Sequence, residues 1–376
     1  MQVLITGGAG FIGSYVADAL LSHGHRVRVL DSLEPQVHGT CAAPTYLSPD
    51  VEFRHGDVTD MAMLASALEG TQVLFHFAAM VGVGQSQYQI ARYTAANVMG
   101  TAVLLDRLAT QRHTVRKMIV ASSMSLYGEG LYRRPSDGRM VTPQLRPEAQ
   151  LAAGDFEMRD PDTGEALEPV PTPETKPPFC VSIYALNKRN QEEYSLLFGR
   201  TYGLPVVACR FFNVYGPRQS LSNPYTGAAA IFMSRIKNGN PPLIYEDGRQ
   251  RRDFIDVRDV ARACLMLMED HRADGDVVNI GTGRPTSIFD LAQMVINMSG
   301  KRVRPEVFQR YRKGDVRHCY ADTTKAQALG FRAEIPLEDG LAYLKTWAEQ
   351  TNASDDVAVA HEELATRGLI MNLRRP

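Results

Sequence analysis

Two side chains four positions apart, Tyr184 and Lys188, have the types and spacing for joint proton chemistry. On a helix, positions i and i+4 share a face. A tyrosine with its ordinary pKa near 10 is a poor base at neutral pH. A nearby cation favours the phenolate and lowers that pKa. Of the 15 tyrosines, only Tyr184 has a lysine four positions on. Ser123 follows the apolar run Met118–Ser122 and supplies a hydroxyl. Such a group can bond a substrate oxygen and hold or pass a proton for Tyr184.

These groups need elements that bring them to a common partner, and the first residues read as one such element. MQVLITGGAGFIG gives a short apolar strand, a glycine turn and the start of a helix. Its glycines read as Gly8-x-Gly10-x-x-Gly13 or as Gly7-x-x-Gly10-x-x-Gly13. Strand, glycine turn and helix together form the context of a dinucleotide site. The glycines allow a tight turn, and the backbone N–H groups around Gly10, Phe11, Ile12 and Gly13 approach a pyrophosphate at the helix N-terminus. Asp31 ends the next strand, close to the roughly 20 positions at which a carboxylate meets the adenosine ribose. A carboxylate there repels a 2′-phosphate, and no Arg follows it, so the cofactor expected is NAD rather than NADP. The positive nicotinamide is then a second cation beside Tyr184.

Strand and helix signals alternate through the first half, as in an α/β chain. Asp57 and Val58 follow a short strand and edge the adenine, or else the stretch serves only to cap the next helix through Thr59 or Asp60. Val73–Ala79 is an apolar strand ending in the small-residue stretch Phe77, Ala78, Ala79, where a cofactor can lie close. Val81 lies in the next loop, and Asn97 sits on a helix read over Ile90–Gln111. Ser122, Ser123 and Ser125 cluster at the end of the next strand. Residues 129–180 break the rhythm with Pro, Gly and charge, which predicts an ordered excursion beside the active site. Residues 181–215 resume the first domain with the Tyr184 helix, residues 216–350 read as a smaller domain with a discontinuous boundary, and 351–376 form a tail holding an amphipathic stretch, Val357 to Leu369.

Composition excludes several classes. A net charge of −1 gives no general pull toward nucleic acid or membrane. No stretch approaches the roughly 18 apolar residues of a spanning helix, and no signal-peptide pattern precedes the first strand. The five scattered cysteines (Cys41, Cys180, Cys209, Cys264, Cys319) suit a reducing cytoplasm and no disulfide frame.

The motifs TGGAGFIG, GDVTD, FHFAA, SSMSLYG, YALNK, RFFNVYGPR and RRDFIDVRDV, with Asp31, resemble the extended short-chain dehydrogenase/reductase family, in particular its nucleotide-sugar epimerases and dehydratases. The resemblance implies a Rossmann-type doubly wound parallel sheet with a smaller mixed α/β C-terminal substrate domain. It implies tightly held NAD, Tyr184 taking the proton of a sugar 4-hydroxyl, and a 4-keto intermediate. Dehydratases of this family carry an Asp-Glu pair after the position of Ser123; here Met124 and Ser125 stand there and cannot serve as general acid or base. A redox-neutral 4-epimerase is therefore expected, ahead of a 4,6-dehydratase, a 4-keto reductase or a non-catalytic NAD sensor.

The same resemblance assigns the substrate's diphosphate to Arg252 and Arg312, with Arg317 as an alternative, its ribose to Asp315, and its phosphate region to Asn213. Arg218 lies in the segment Gly216–Phe232, which is similar to dTDP-L-rhamnose 4-epimerases. Relatives of that type often carry two Cys-x-x-Cys-Gly knuckles in the insertion. Here Arg134–Gly138 and Asp160–Gly164 keep the turn residues without thiolates, so no metal is expected. A homodimer is implied, paired through the Ile90–Gln111 and Ser182–Phe198 helices.

Overall fold

A computed structural model describes residues 1–39, 42–308 and 310–373; Cys41 lies outside the described residues. These build a seven-stranded parallel sheet from β1 (Gln2–Thr6), β2 (Arg26–Asp31), β3 (Glu52–His55), β4 (Val73–His76), β5 (Lys117–Ser123), β6 (Val206–Phe211) and β7 (Asp276–Ile280), in the order β7-β6-β5-β4-β1-β2-β3. All five residues of β1 are buried, as both faces of a parallel sheet covered by helices require. Chain direction across the sheet reverses between β1 and β4, the place where a doubly wound sheet opens a ligand crevice. Register fixes what lines it: Thr6 is level with Leu30 and with His76. The glycine turn, Asp31 and Phe77 therefore emerge side by side.

Helix α1 (Phe11–Ser22) packs on α4 (Val257–Glu269), while α2 (Gly100–Thr110) and α3 (Ile183–Tyr202) cover the other face. The helix read over Ile90–Gln111 has three parts: Ile90–Thr94, a π-helical turn Ala95–Met99, and α2. The extra residue of the π turn turns Asn97 inward, fully buried. β7 and α4 come from beyond residue 216 yet belong to the main sheet and its cover, so the two lobes interleave.

The smaller lobe is a four-stranded sheet of Asn213–Tyr215, Arg251–Asp256, Pro285–Ser287 and His318–Cys319. Helices Ala228–Lys237, Ile288–Ser299 and Leu337–Gln350 close its core over Phe232, Ile244, Phe254 and Leu344.

Residues 129–180 are ordered. Met140–Val141, Leu131–Arg133 and Glu168–Val170 form a small antiparallel sheet, and Thr172 bridges to Ala321 of the smaller lobe. The two knuckle turns face one another through charge: Arg134 lies 3.4 Å from Asp160, and the Ser136 hydroxyl donates to Glu165 at 2.7 Å. Among the described residues no group of three His, Cys, Asp or Glu is placed to hold a metal. No described helix is long and apolar enough to cross a membrane. Cys180, Cys209, Cys264 and Cys319 carry free thiols. The amphipathic stretch forms α5 (Val357–Thr366), followed by a strand, Ile370–Asn372, paired antiparallel with Arg310–Arg312.

Candidate active site

The cofactor end is built from backbone. Gly7 has φ +70°, and a Cβ on it would stand 2.7 Å from the Ala78 nitrogen, so no other residue fits between β1 and β4. A Cβ on Gly13 would stand 2.5 Å from the Gly7 carbonyl oxygen. Around Gly10 the only atom near such a Cβ is that same oxygen, at 3.3 Å, so this face of the turn is open. Gly10 caps α1 without a side-chain bond, and the first turn holds no acidic residue. The N–H groups of that turn keep their dipole end for an anion. Asp31 is buried; its two oxygens accept from the Ala9 N–H at 3.0 Å and the Leu33 N–H at 2.9 Å. Each oxygen keeps a second lone pair for a ribose hydroxyl. An open glycine cradle beside a fixed carboxylate fits NAD.

Several residues read as cofactor ligands make contacts within the protein. Asn97 spends its side chain on Met80, accepting from its N–H at 2.7 Å and donating to its carbonyl at 3.0 Å, which fixes the loop after β4. Ser122 donates to Glu192 at 2.6 Å, and Glu192 pairs with Arg210 at 2.6 Å, all buried under the crevice. Asp57 accepts from the Thr59 N–H at 2.8 Å and the Thr59 hydroxyl at 2.7 Å, a local turn, while Asp60 caps the following helix. Val58 is buried against Gly100.

The reacting groups meet where β5 ends. Ser182 caps α3 by accepting from the Ala185 N–H at 3.1 Å, which sets Tyr184 in the first turn. The Tyr184 N–H donates to the Ser86 hydroxyl oxygen at 3.0 Å. Lys188 lies one turn on, buried, with Nζ donating to the Ala121 carbonyl at 2.9 Å. Burial pushes the Tyr184 phenol up to about 12, partly offset by its hydrogen bond with Ser123. Burial pulls Lys188 down to about 7. This corrects the direction expected from the sequence: with these groups alone, Tyr184 holds its proton more firmly than usual. Desolvation of the anion outweighs the hydrogen bond, and the phenolate waits on a further cation.

At the other end, Asp315 sits between Arg312, at 3.0 Å, and Arg252, at 3.5 Å. Burial alone would raise the Asp315 carboxyl, but the Arg312, Arg252 and Arg146 guanidinium groups outweigh it and hold the pKa below the usual value. Asn213 leads out of β6 with its side-chain oxygen buried and unpartnered, and the Ser125 hydroxyl is likewise orphaned. Buried polar atoms without a protein partner are positions a ligand or water can complete. Val81 is exposed on the loop after β4.

Two arginines are placed elsewhere. Arg317 is 0 % exposed, and its fork is consumed by Glu157 at 2.6 Å, Asp247 at 2.6 Å and Glu246 at 3.1 Å, so it has no face for a phosphate. Its carbonyl instead accepts from Arg252 at 3.0 Å. Arg218, at φ +67°, pairs with Asp18 at 2.7 Å and lies over the Tyr15 ring at 4.4 Å, against α1 rather than with Arg252 and Arg312. Ser86 and the buried Arg146, which donates to the Asp315 carbonyl at 3.0 Å, were not visible as site residues in the sequence.

A glycine-cradled dinucleotide site with a Ser-Tyr-Lys constellation beside it defines a nicotinamide-dependent enzyme. Residues 3–153 and 162–281 match the family described as NAD dependent epimerase/dehydratase. The dTDP-L-rhamnose 4-epimerase of Burkholderia thailandensis is 34% identical over 93% of this chain and 95% of its own. The structure of UDP-glucose 4-epimerase from Thermotoga maritima with UDP-glucose superposes with a TM-score of 0.75 at 32% identity, covering 93% of this chain and 99% of that one. The Thermus thermophilus UDP-glucose 4-epimerase complex with NAD gives 0.73 at 28%, covering 94% and 100%. The chain belongs to the NAD dependent epimerase/dehydratase family. It is an enzyme with NAD as cofactor and an isomerase-type reaction.

Proposed function

We propose that the protein interconverts the C4 epimers of a nucleoside-diphosphate sugar, with dTDP-L-rhamnose and dTDP-6-deoxy-L-talose as the preferred pair. The observation that carries the reaction type is the set of groups after β5. Ser123 ends β5 with its hydroxyl oxygen accepting from the Ser125 N–H at 3.1 Å, and the next two side chains, Met124 and Ser125, hold no carboxylate. Removing water across C5 and C6 needs an acid and a base there; inverting C4 does not.

The turn from Gly7 to Gly13, Asp31 and the Phe77–Ala79 edge would hold NAD, which would supply a reversible hydride acceptor for sugar C4. Tyr184 removes the proton of the 4-hydroxyl and later returns it. Ser123 bonds the same oxygen and steadies the phenolate. Lys188, titrating near neutrality, adds positive charge next to Tyr184 when protonated and favours the phenolate. The 4-ketone presents its other face before reduction, which requires a pocket that grips the nucleotide more firmly than the sugar. Arg252, Arg312 and Asp315 suit that grip on the diphosphate and ribose, and Asn213 and Ser125 have free acceptors toward the substrate.

The 34% relative supports the deoxysugar. UDP-glucose is the second reading, favoured by the Thermotoga maritima complex. Incubating the protein with dTDP-, UDP-, GDP- and CDP-sugars and following products by NMR tests both. Inversion at C4 of dTDP-L-rhamnose is expected, and a dehydrated product would refute the reaction type. We also propose a homodimer in the cytoplasm. Exposed Ile90, Met99, Leu186, Tyr194 and Leu197 on the two candidate helices support the pairing, and the free thiols suit a reducing compartment.

A further inference from the structure

Three distant pieces of chain meet at one carboxylate. Glu363 of α5 accepts from the Tyr88 hydroxyl at 2.6 Å and from the Tyr225 hydroxyl at 2.8 Å, both on the same oxygen, and the two hydroxyls lie 2.7 Å apart. The Arg367 guanidinium stands 4.2 Å over the Tyr88 ring, and Leu364 packs against Gly84. Hydrogen bonds to an ionised acceptor are the strong ones.

What α5 holds there is the floor of the catalytic helix. Tyr88 directly follows Ser86, whose oxygen receives the Tyr184 N–H at 3.0 Å, and Gln87, whose side chain receives the Ile183 N–H at 3.4 Å. Those are two of the first N–H groups of α3, which a helix cannot satisfy internally. Tyr225 lies in the Gly216–Phe232 segment and closes on Gly82, next to Val81 at the mouth of the cleft. Beyond α5 the chain returns to the opposite wall: Ile370–Asn372 pairs with Arg310–Arg312, and the Lys313 N–H donates to the Leu369 carbonyl at 3.0 Å. Arg312 and Asp315 are on that wall.

We propose that segment 357–372 is a positioning strap across the cleft. Through Glu363 it pins the Gly82–Tyr88 segment and hence the turn carrying Tyr184; through Ile370–Asn372 it fastens the wall carrying Arg312. Glu363 and Tyr88 are positioning residues that act through Ser86 and Gln87. This rests on Tyr184 being the base.

The test compares Glu363→Ala, Glu363→Gln and Tyr88→Phe with the parent, all loaded with NAD, by hydrogen–deuterium exchange and steady-state kinetics. Losing a charge-assisted bond should speed exchange of peptides covering 82–88 and 183–187 by about tenfold, with 117–123 unchanged. Turnover should fall by a similar factor, with a smaller change in KM and unchanged NAD content. Glu363→Gln keeps an acceptor oxygen without the charge and should fall between the parent and Glu363→Ala in both effects. Exchange within about twofold of the parent at 183–187 overturns the proposal, even if 82–88 loosens. Should Glu363→Ala fail to fold, Tyr88→Phe carries the same comparison, because the ring stays and one donor goes. If the parent inverts no sugar but exchange accelerates as stated, the strap stands and the epimerase reading fails.

Discussion

Asp31→Asn separates two jobs that one carboxylate performs. In the structure its oxygens accept from Ala9 at 3.0 Å and Leu33 at 2.9 Å. Asparagine has one acceptor oxygen for these two donors, so one buried N–H is left facing an amide NH₂. An unsatisfied buried donor costs about 1–3 kcal/mol. For a chain of 376 residues, about 2 kcal/mol is a melting shift of roughly 2–3 °C. The charge matters more for cofactor choice. At ~4 Å and an effective dielectric near 20, a carboxylate and one phosphate charge repel by about 4 kcal/mol, close to a factor of ~10³. The preference for NAD over NADP should therefore collapse by about that factor, chiefly through tighter NADP binding. The assay is titration of stripped protein with each dinucleotide, beside identification by mass of the cofactor released from the parent on denaturation. A preference ratio within about threefold of the parent, or release of mainly NADP from the parent, would refute the reasoning.

Tyr184→Phe should retain NAD and lose about 10²–10⁴ in turnover, the range for a removed acid–base group; turnover within tenfold of the parent would show another base. Arg317→Ala takes one of two guanidinium partners from the buried Glu246, which keeps Arg146 at 2.9 Å, and removes the partner of Asp247; a loss of about 1–3 kcal/mol is expected, and an unchanged melting temperature would contradict the buried network. His76 is fully buried and its pKa is pushed down to about 3 by burial, with Lys188 adding to the effect. Between the unfolded value near 6.5 and about 3, only the unfolded chain holds that proton, so stability present above pH 6.5 is lost on acidification, by about 1.4 kcal/mol per pH unit. Urea unfolding from pH 7.5 to 5.5 checks this, and His76→Gln should lack that part of the slope; equal slopes would contradict it.

Features that depend on local backbone demands were legible in the sequence. Gly7 is forced by the close approach of the chain after β4 and Gly13 by the turn's own backbone at Gly7 and Gly8, and Tyr184 and Lys188 are joined by helical spacing, so residue types at short range carried them. Partners brought together across long stretches of chain were not. Arg146 reaches Glu246, Arg317 reaches Glu157, and Ser122 reaches Glu192, pairs that no local spacing announces. The direction of the Tyr184 shift was hidden because burial, not neighbouring charge, decides it. The ordered insertion depends on the same distant charges, through Glu129, Arg146 and Glu157 against Glu246 and Arg317, and no local period announces them.

The central claim is that NAD is lent and recovered within each turnover while Tyr184 moves the proton. The most direct measurement uses dTDP-L-rhamnose carrying deuterium at C4, in ordinary water, with the epimer analysed by mass spectrometry and NMR. The account predicts a product that keeps the label at C4 with inverted configuration and no net reduction of the cofactor. Exchange of that label for solvent hydrogen, or its net transfer to the cofactor with a 4-keto sugar released, would contradict it.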